Sequence, residues 1–222
     1  STGLGDAIGA TNDGSSVTPN VEGLSDACSN VYKKTLSTHQ VGETLCSKQG
    51  MRTSDFQDAP LEQKKKNIVM IFDASGSMAA KMGGKSKIDI AKNAATTFID
   101  SIKDAHVNLS VVVYGHKGSN SLRDKATSCA GIDEVYWFGD VAPDVAKSKF
   151  ATLTPKGYTP ISASLLKAKD ILAKNATSKD DNIILLVSDG EETCGGDPIA
   201  TTKSIKDSGL NIKVNVIGFD VA

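Results

Sequence analysis

The stretch NIVMIFDASGSM, residues 67–78, decides the fold. Ile68 to Phe72 are apolar without a break, and the run ends at Asp73. An uninterrupted apolar run of strand length marks a strand buried on both faces. A small polar loop follows, and then SKIDIAKNAATTFIDSI (86–102), where Ile88, Ala91, Ala95, Phe98 and Ile102 recur on one helical face. Strand, loop and helix in that order open a parallel α/β unit.

The same alternation runs to the end of the chain. VNLSVVVYG (107–115), NIILLVSDG (182–190) and IKVNVIGFD (212–220) read as further strands. DVAKSKFATL, TPISASLLKAKDILA and DPIATTKSIKDSG read as helices, the second with Pro160 in its first turn and Thr159 as N-cap. IDEVYWF (132–138) follows the second strand with no room for a crossover helix, so it reads as an antiparallel edge strand. The expectation is a doubly wound, Rossmann-like, mostly parallel sheet with one antiparallel edge and helices on both faces. Such sheets bind ligands at the carboxyl ends of their strands, where the strand order reverses.

The loop after the first strand permits two chemistries. GGKS (83–86) resembles the tail of a phosphate-binding loop, but that motif requires glycine at position 79, where Ala79 stands. The nest of amides that grips phosphate is therefore unsupported, and GGKS reads as a loop that caps the next helix. Asp73-x-Ser75-x-Ser77 instead offers one carboxylate and two hydroxyls from alternate residues. These are hard oxygen donors suited to Mg²⁺, Mn²⁺ or Ca²⁺. The strand NIILLVS ends in Asp189, and the loop GYTP presents Thr159. In a doubly wound order these positions converge with Asp73.

The set DASGSM, the threonine of GYTP and the aspartate of SDGEETC resembles the von Willebrand factor type A family and its metal-ion-dependent adhesion site. The resemblance covers about residues 67–220, and GYTPI, VSDGEETCGGDP and VNVIGFDV look most like bacterial secreted or surface members. It implies that Ser75, Ser77 and Thr159 touch a divalent cation, with Asp73 and Asp189 acting through waters and hydrogen bonds. Mg²⁺ is the leading candidate. Neutral hydroxyls leave the ion short of an anionic ligand, which a partner's Asp or Glu can supply. The implied function is metal-dependent protein binding in adhesion or assembly, without catalysis. Two other readings stand beside it. One is a packing subunit with a non-essential metal site. The other is a Mg²⁺-dependent phosphotransferase of haloacid dehalogenase type, which needs a second acid where this chain has Ser75.

Other residues carry plainer readings. His116 reads as a loop histidine, His39 and His106 belong to no paired motif, Glu191 and Glu192 read as a solvated acidic loop, and Tyr136, Trp137 and Phe138 as edge-strand core. The 222 residues carry a net charge of −1, which gives no basic face for nucleic acid, and the sequence has no apolar run long enough to span a bilayer. Residues 1–66 read as an extension, partly flexible, with short helical pieces near 26–36 and at LEQKKK. Its first residues lack the regions of a signal peptide, as a mature secreted chain or a cytosolic one would. Cys28, Cys46, Cys129 and Cys194 lack zinc spacing. They read as Cys28–Cys46 and Cys129–Cys194 bridges in an oxidising compartment, with four reduced thiols as the alternative. With the resemblance, this leads one to expect a secreted, periplasmic or cell-surface protein that takes part in a larger envelope or surface assembly. The resemblance also leads one to expect residues 67–222 to lack the family's C-terminal helix.

Overall fold

The structure is a computed structural model that describes residues 64–219. The chain divides into two units, Ser1–Glu62 and Gln63–Ala222, and everything described lies in the second. The expectations for Cys28, Cys46, His39, the helix near 26–36 and the C-terminal helix fall outside the described residues. Of LEQKKK, residues 64–66 are described. They are not helical, and Lys66 already starts the first strand.

The strands are β1 (Lys66–Asp73), β2 (Lys81–Met82), β3 (Lys85–Ser86), β4 (Val107–Tyr114), β5 (Asp133–Asp140), β6 (Asp181–Ser188) and β7 (Ile212–Gly218). The helices are α1 (Lys87–Ile102), α2 (Lys125–Ala130), α3 (Pro143–Ala151), α4 (Ile161–Asn175) and α5 (Pro198–Lys206). Five strands form one sheet in the order β5-β4-β1-β6-β7, and β2 and β3 make a small hairpin after β1. β1 pairs in parallel with β4 and β6, β6 in parallel with β7, and β5 runs antiparallel to β4 at the edge. The sequence-derived fold class is the observed one.

β1 explains the two-sided core. Ile68, Met70 and Phe72 enter one apolar cluster with Ile88, Ala91, Ala95 and Ile99 of α1 and Phe150 of α3. Val69 and Ile71 enter the other, with Leu165, Ala168 and Leu172 of α4 and Ile205 of α5. Alternate side chains point to opposite faces, so a continuous apolar strand feeds both. At the far end from the ligand edge, Asn67, Asn108 and Asn182 sit in register on three adjacent strands. Their amides link across β4, β1 and β6 at 2.8 and 2.9 Å. A buried amide ladder is satisfied only in this register, so it fixes the strands against slippage.

Three local readings need correction. In α1 the inward residue is Ile99, fully buried, while Phe98 and Ile102 only flank the core. Thr159 is not an N-cap: α4 begins at Ile161 with Pro160 in the cap position and no side-chain cap bond. In β5, Tyr136 is buried and Phe138 partly so, but Trp137 is 76% exposed, because edge-strand side chains alternate between core and water.

Candidate metal centre

Asp73 and Ser188 end neighbouring strands, and Asp189 follows Ser188 directly. The side chains there form one hydrogen-bonded set. Asp73 Oδ1 accepts from the Ser75 amide at 2.7 Å. Asp73 Oδ2 accepts from the Tyr114 hydroxyl at 2.8 Å and the Ser188 hydroxyl at 2.6 Å. Ser75 Oγ lies 3.0 Å from Ser77 Oγ, and Ser77 Oγ donates to Asp189 Oδ1 at 2.7 Å. Asp73, Ser75 and Thr159 are buried, while Ser77 is exposed, so the set opens to solvent on the Ser77 side.

Thr159 comes alongside through its backbone. The loop before it is stitched to the Asp73 loop by Lys156 N to Ala74 O (3.1 Å) and Gly76 N to Gly157 O (2.9 Å). The Asn120 amide faces the same loop; with its nitrogen turned toward it, as the two carbonyls there require, it would donate to Lys156 O at 3.1 Å and Gly157 O at 2.8 Å. Thr159 N donates to Thr193 Oγ1 at 2.8 Å, and Thr193 N returns a bond to Thr159 O at 3.1 Å. The structure thus links Asp73, Ser75, Ser77 and Asp189 through side-chain bonds and pairs the loop that leads into Thr159 with the Asp73 loop.

Two participants escaped sequence reasoning. Lys87 Nζ, from the first turn of α1, lies 3.0 Å from Asp189 Oδ2, with the two side chains 11% and 1% exposed. Glu192 is not a solvated acid. Its Oε2 accepts from Ser162 N at 2.8 Å and its Oε1 from Cys194 N at 2.7 Å. It thereby satisfies a free amide in the first turn of α4, which Pro160 cannot cap. The signal for Lys87 was its place: a lysine in a helix first turn opposes the helix dipole. His116 is structural, with Nε2 2.8 Å from Asp133 Oδ2, and Lys117 bonds the same carboxylate. Cys129 and Cys194 are joined as a disulfide, which ties the end of α2 to the loop after Asp189.

Burial raises the Asp73 carboxyl above its usual pKa, against the pull of hydrogen bonds from Ser188, Ser75 and Tyr114. Burial, followed by the neighbouring Asp73 charge, pushes Tyr114 well above the usual phenol range, so it stays a donor. No group of three or more His, Cys, Asp or Glu side chains forms a metal cluster among the described residues. Any cation here would rest largely on hydroxyls. The donors fit a small hard ion: the 3.0 Å between the Ser75 and Ser77 oxygens matches the roughly 2.9 Å between adjacent ligands of an octahedral Mg²⁺.

This fold and loop set correspond to the von Willebrand factor type A domain family, which matches residues 68–192. The chain belongs to that family. It is 39% identical over 161 residues to YwmD, an uncharacterized protein of Bacillus subtilis (strain 168), covering 72% of this chain and 70% of that one. Solved structures share its fold. The pilus adhesin SpaC of Lactobacillus rhamnosus GG aligns with a TM-score of 0.57 at 17% identity, over 72% of this chain and 25% of that one. The manganese-loaded TRAP protein of Plasmodium vivax aligns with a TM-score of 0.52 at 19% identity, over 70% of this chain and 57% of that one.

Proposed function

We propose that residues 67–222 form a metal-dependent protein-binding domain that serves adhesion or the assembly of a surface structure. The observation that carries this is the bonded set Asp73, Ser75, Ser77 and Asp189 at the carboxyl ends of neighbouring strands, with Thr159 in the loop beside them. Ser75, Ser77 and Thr159 would hold a divalent cation, Mg²⁺ foremost, with Asp73 and Asp189 orienting the hydroxyls and any bound waters. The ion supplies a Lewis-acid position that accepts a carboxylate from an Asp or Glu of the partner protein. The chain's own residues do the rest. Tyr114 and Ser188 fix Asp73, and Asp73 fixes the Ser75 amide.

No activated nucleophile belongs to this reading. Position 75, where a phosphotransferase of this topology needs its acid/base, carries a hydroxyl already engaged with Ser77. The fold shared with a pilus adhesin supports a surface setting. So does the Cys129–Cys194 disulfide, because such bonds persist in oxidising compartments.

The test is a thermal melt in Mg²⁺, Mn²⁺, Ca²⁺ or EDTA, comparing wild type with Asp73→Ala and Ser77→Ala. A cation at a hundred times its dissociation constant stabilises by about 2.7 kcal/mol. For a domain of this size that is a rise of roughly 5–10 °C. Wild type should show it and the two variants should not. A wild type indifferent to millimolar cation would reject the metal centre and leave a packing subunit.

A further inference from the structure

We infer that Lys87 is a built-in countercharge of the metal centre. It holds Asp189 in place while the site lacks its cation, lowers the cation's affinity, and leaves the loaded site with a surplus of positive charge for an anionic partner. This rests on the metal reading above and concerns a residue that reading does not use.

The geometry is specific. Lys87 Nζ is 3.0 Å from Asp189 Oδ2, and Ser77 Oγ donates to Oδ1 at 2.7 Å, so both oxygens of a nearly buried carboxylate are held. Removing one partner of a buried pair leaves an uncompensated charge, which is strongly unfavourable. The lysine stands where local rules oppose it. It is the first residue of α1, after the Ser86 N-cap, and it is buried. A cation at a helix N-terminus works against the macrodipole, and buried lysines are rare unless paired. A residue that breaks a local rule without local gain points to a role at the site.

The charges follow from the pair. Lys87 and Asp189 cancel. Of the charges of Asp73, Asp189 and Lys87, an incoming divalent ion then meets at most one net negative charge, and the loaded site is one unit more positive than it would be without Lys87. Without Lys87, Asp189 would face the ion unopposed. The cation would bind more tightly, and the loaded site would carry one unit less positive charge and be a poorer receptor for a carboxylate. A unit charge a few ångströms from a divalent ion acts on this scale even with strong screening.

The experiment is calorimetric titration with Mn²⁺ of the wild-type chain and Lys87→Gln, which keeps a donor for Asp189 but removes the charge. Lys87→Gln should bind Mn²⁺ about tenfold more tightly, as expected for loss of a like charge at this range. It should also melt below wild type in EDTA, with the gap closing in Mn²⁺. Lys87→Arg should stay close to wild type. Equal or weaker Mn²⁺ binding by Lys87→Gln, in a wild type that does bind, overturns the role of Lys87 and leaves the metal centre standing. A wild type that binds no Mn²⁺ overturns both. Should Lys87→Gln fail to fold, the wild type itself decides through its lysine ammonium NMR signals, with Lys87 assigned by its absence in Lys87→Arg. The Lys87 signal should move on saturation with Mg²⁺, and a signal that stays put rejects the proposal.

Discussion

At the residue scale, the site depends on positions that carry no donor. Gly115 has a φ of +75°, and a Cβ there would run into the backbone of Ser75 and Ala74. Gly115→Ala should cost at least about 2 kcal/mol in urea unfolding, combining left-handed strain with that collision. It should also blunt the cation-dependent rise in melting temperature by displacing Ser75. Asp133 gives the pH test. Burial raises its pKa, but hydrogen bonds from Lys117 and His116 outweigh that and hold it below 3.8. A depressed folded value means the stabilisation is present above the unfolded pKa and disappears as pH falls through the folded one. Asp133→Asn should therefore lower stability at pH 7 by under about 1 kcal/mol, the scale of a partly exposed pair. The gap from wild type should close below pH 3.8. Asp73 and Asp189 were legible because each closes an apolar run. Lys87 and Glu192 were not, because their partners come from loops and helices about 100 and 30 residues away in sequence. The place of Lys87 in a helix first turn is a local hint of a role, but nothing in the local pattern names so distant a partner.

At the element scale, the strands were legible and the phase of α1 was not. Unbroken apolar runs leave little choice for β1, β4 and β6, and their register is fixed by the asparagine ladder. Along a helix each residue turns about 100°, so Ile99 lies only about 20° from the direction of Ile88, and Phe98 about 80° away. The alternating three- and four-residue spacing of Ile88, Ala91, Ala95, Phe98 and Ile102 suggested Phe98 as inward, whereas the phase of the helix selects Ile99, which is fully buried. Ile99→Ala should cost about 2–5 kcal/mol through lost burial and a residual cavity. Phe98→Ala should cost less, despite removing more atoms. Urea denaturation of the two variants orders them directly, and the reverse order would place Phe98 in the core. The start of α4 was misread by one turn position for a related reason. The group that satisfies its first-turn amide is Glu192, contributed by another loop, so no capping residue precedes the helix in sequence.

At the scale of the whole molecule, the ligand edge is assembled from loops that follow β1, β4 and β6 and the loop before α4. Secondary structure alone does not hold such loops in mutual register. The Cys129–Cys194 disulfide does part of this work. It joins residues 65 apart, with Cα atoms 5.7 Å from each other, and Cys194 sits next to Thr193, which pairs with Thr159. On the loop-entropy account, a crosslink of that span stabilises by about 4 kcal/mol through the unfolded chain, less any native strain. Cys129→Ser with Cys194→Ser should therefore lower unfolding stability by up to about that amount. It should also weaken cation binding beyond what lost global stability explains, because the loop carrying Thr193 would no longer be tied in place against Thr159. The two effects separate experimentally. Chemical denaturation gives the first, and Mn²⁺ titration at a temperature where both proteins are fully folded gives the second. A loss of stability with unchanged Mn²⁺ affinity would show that Glu192, through Ser162 and the Cys194 amide, positions the loop without the crosslink. Weakened Mn²⁺ binding in the folded double variant would instead make the oxidised pair a condition for the site, and would tie the activity of this domain to an oxidising compartment.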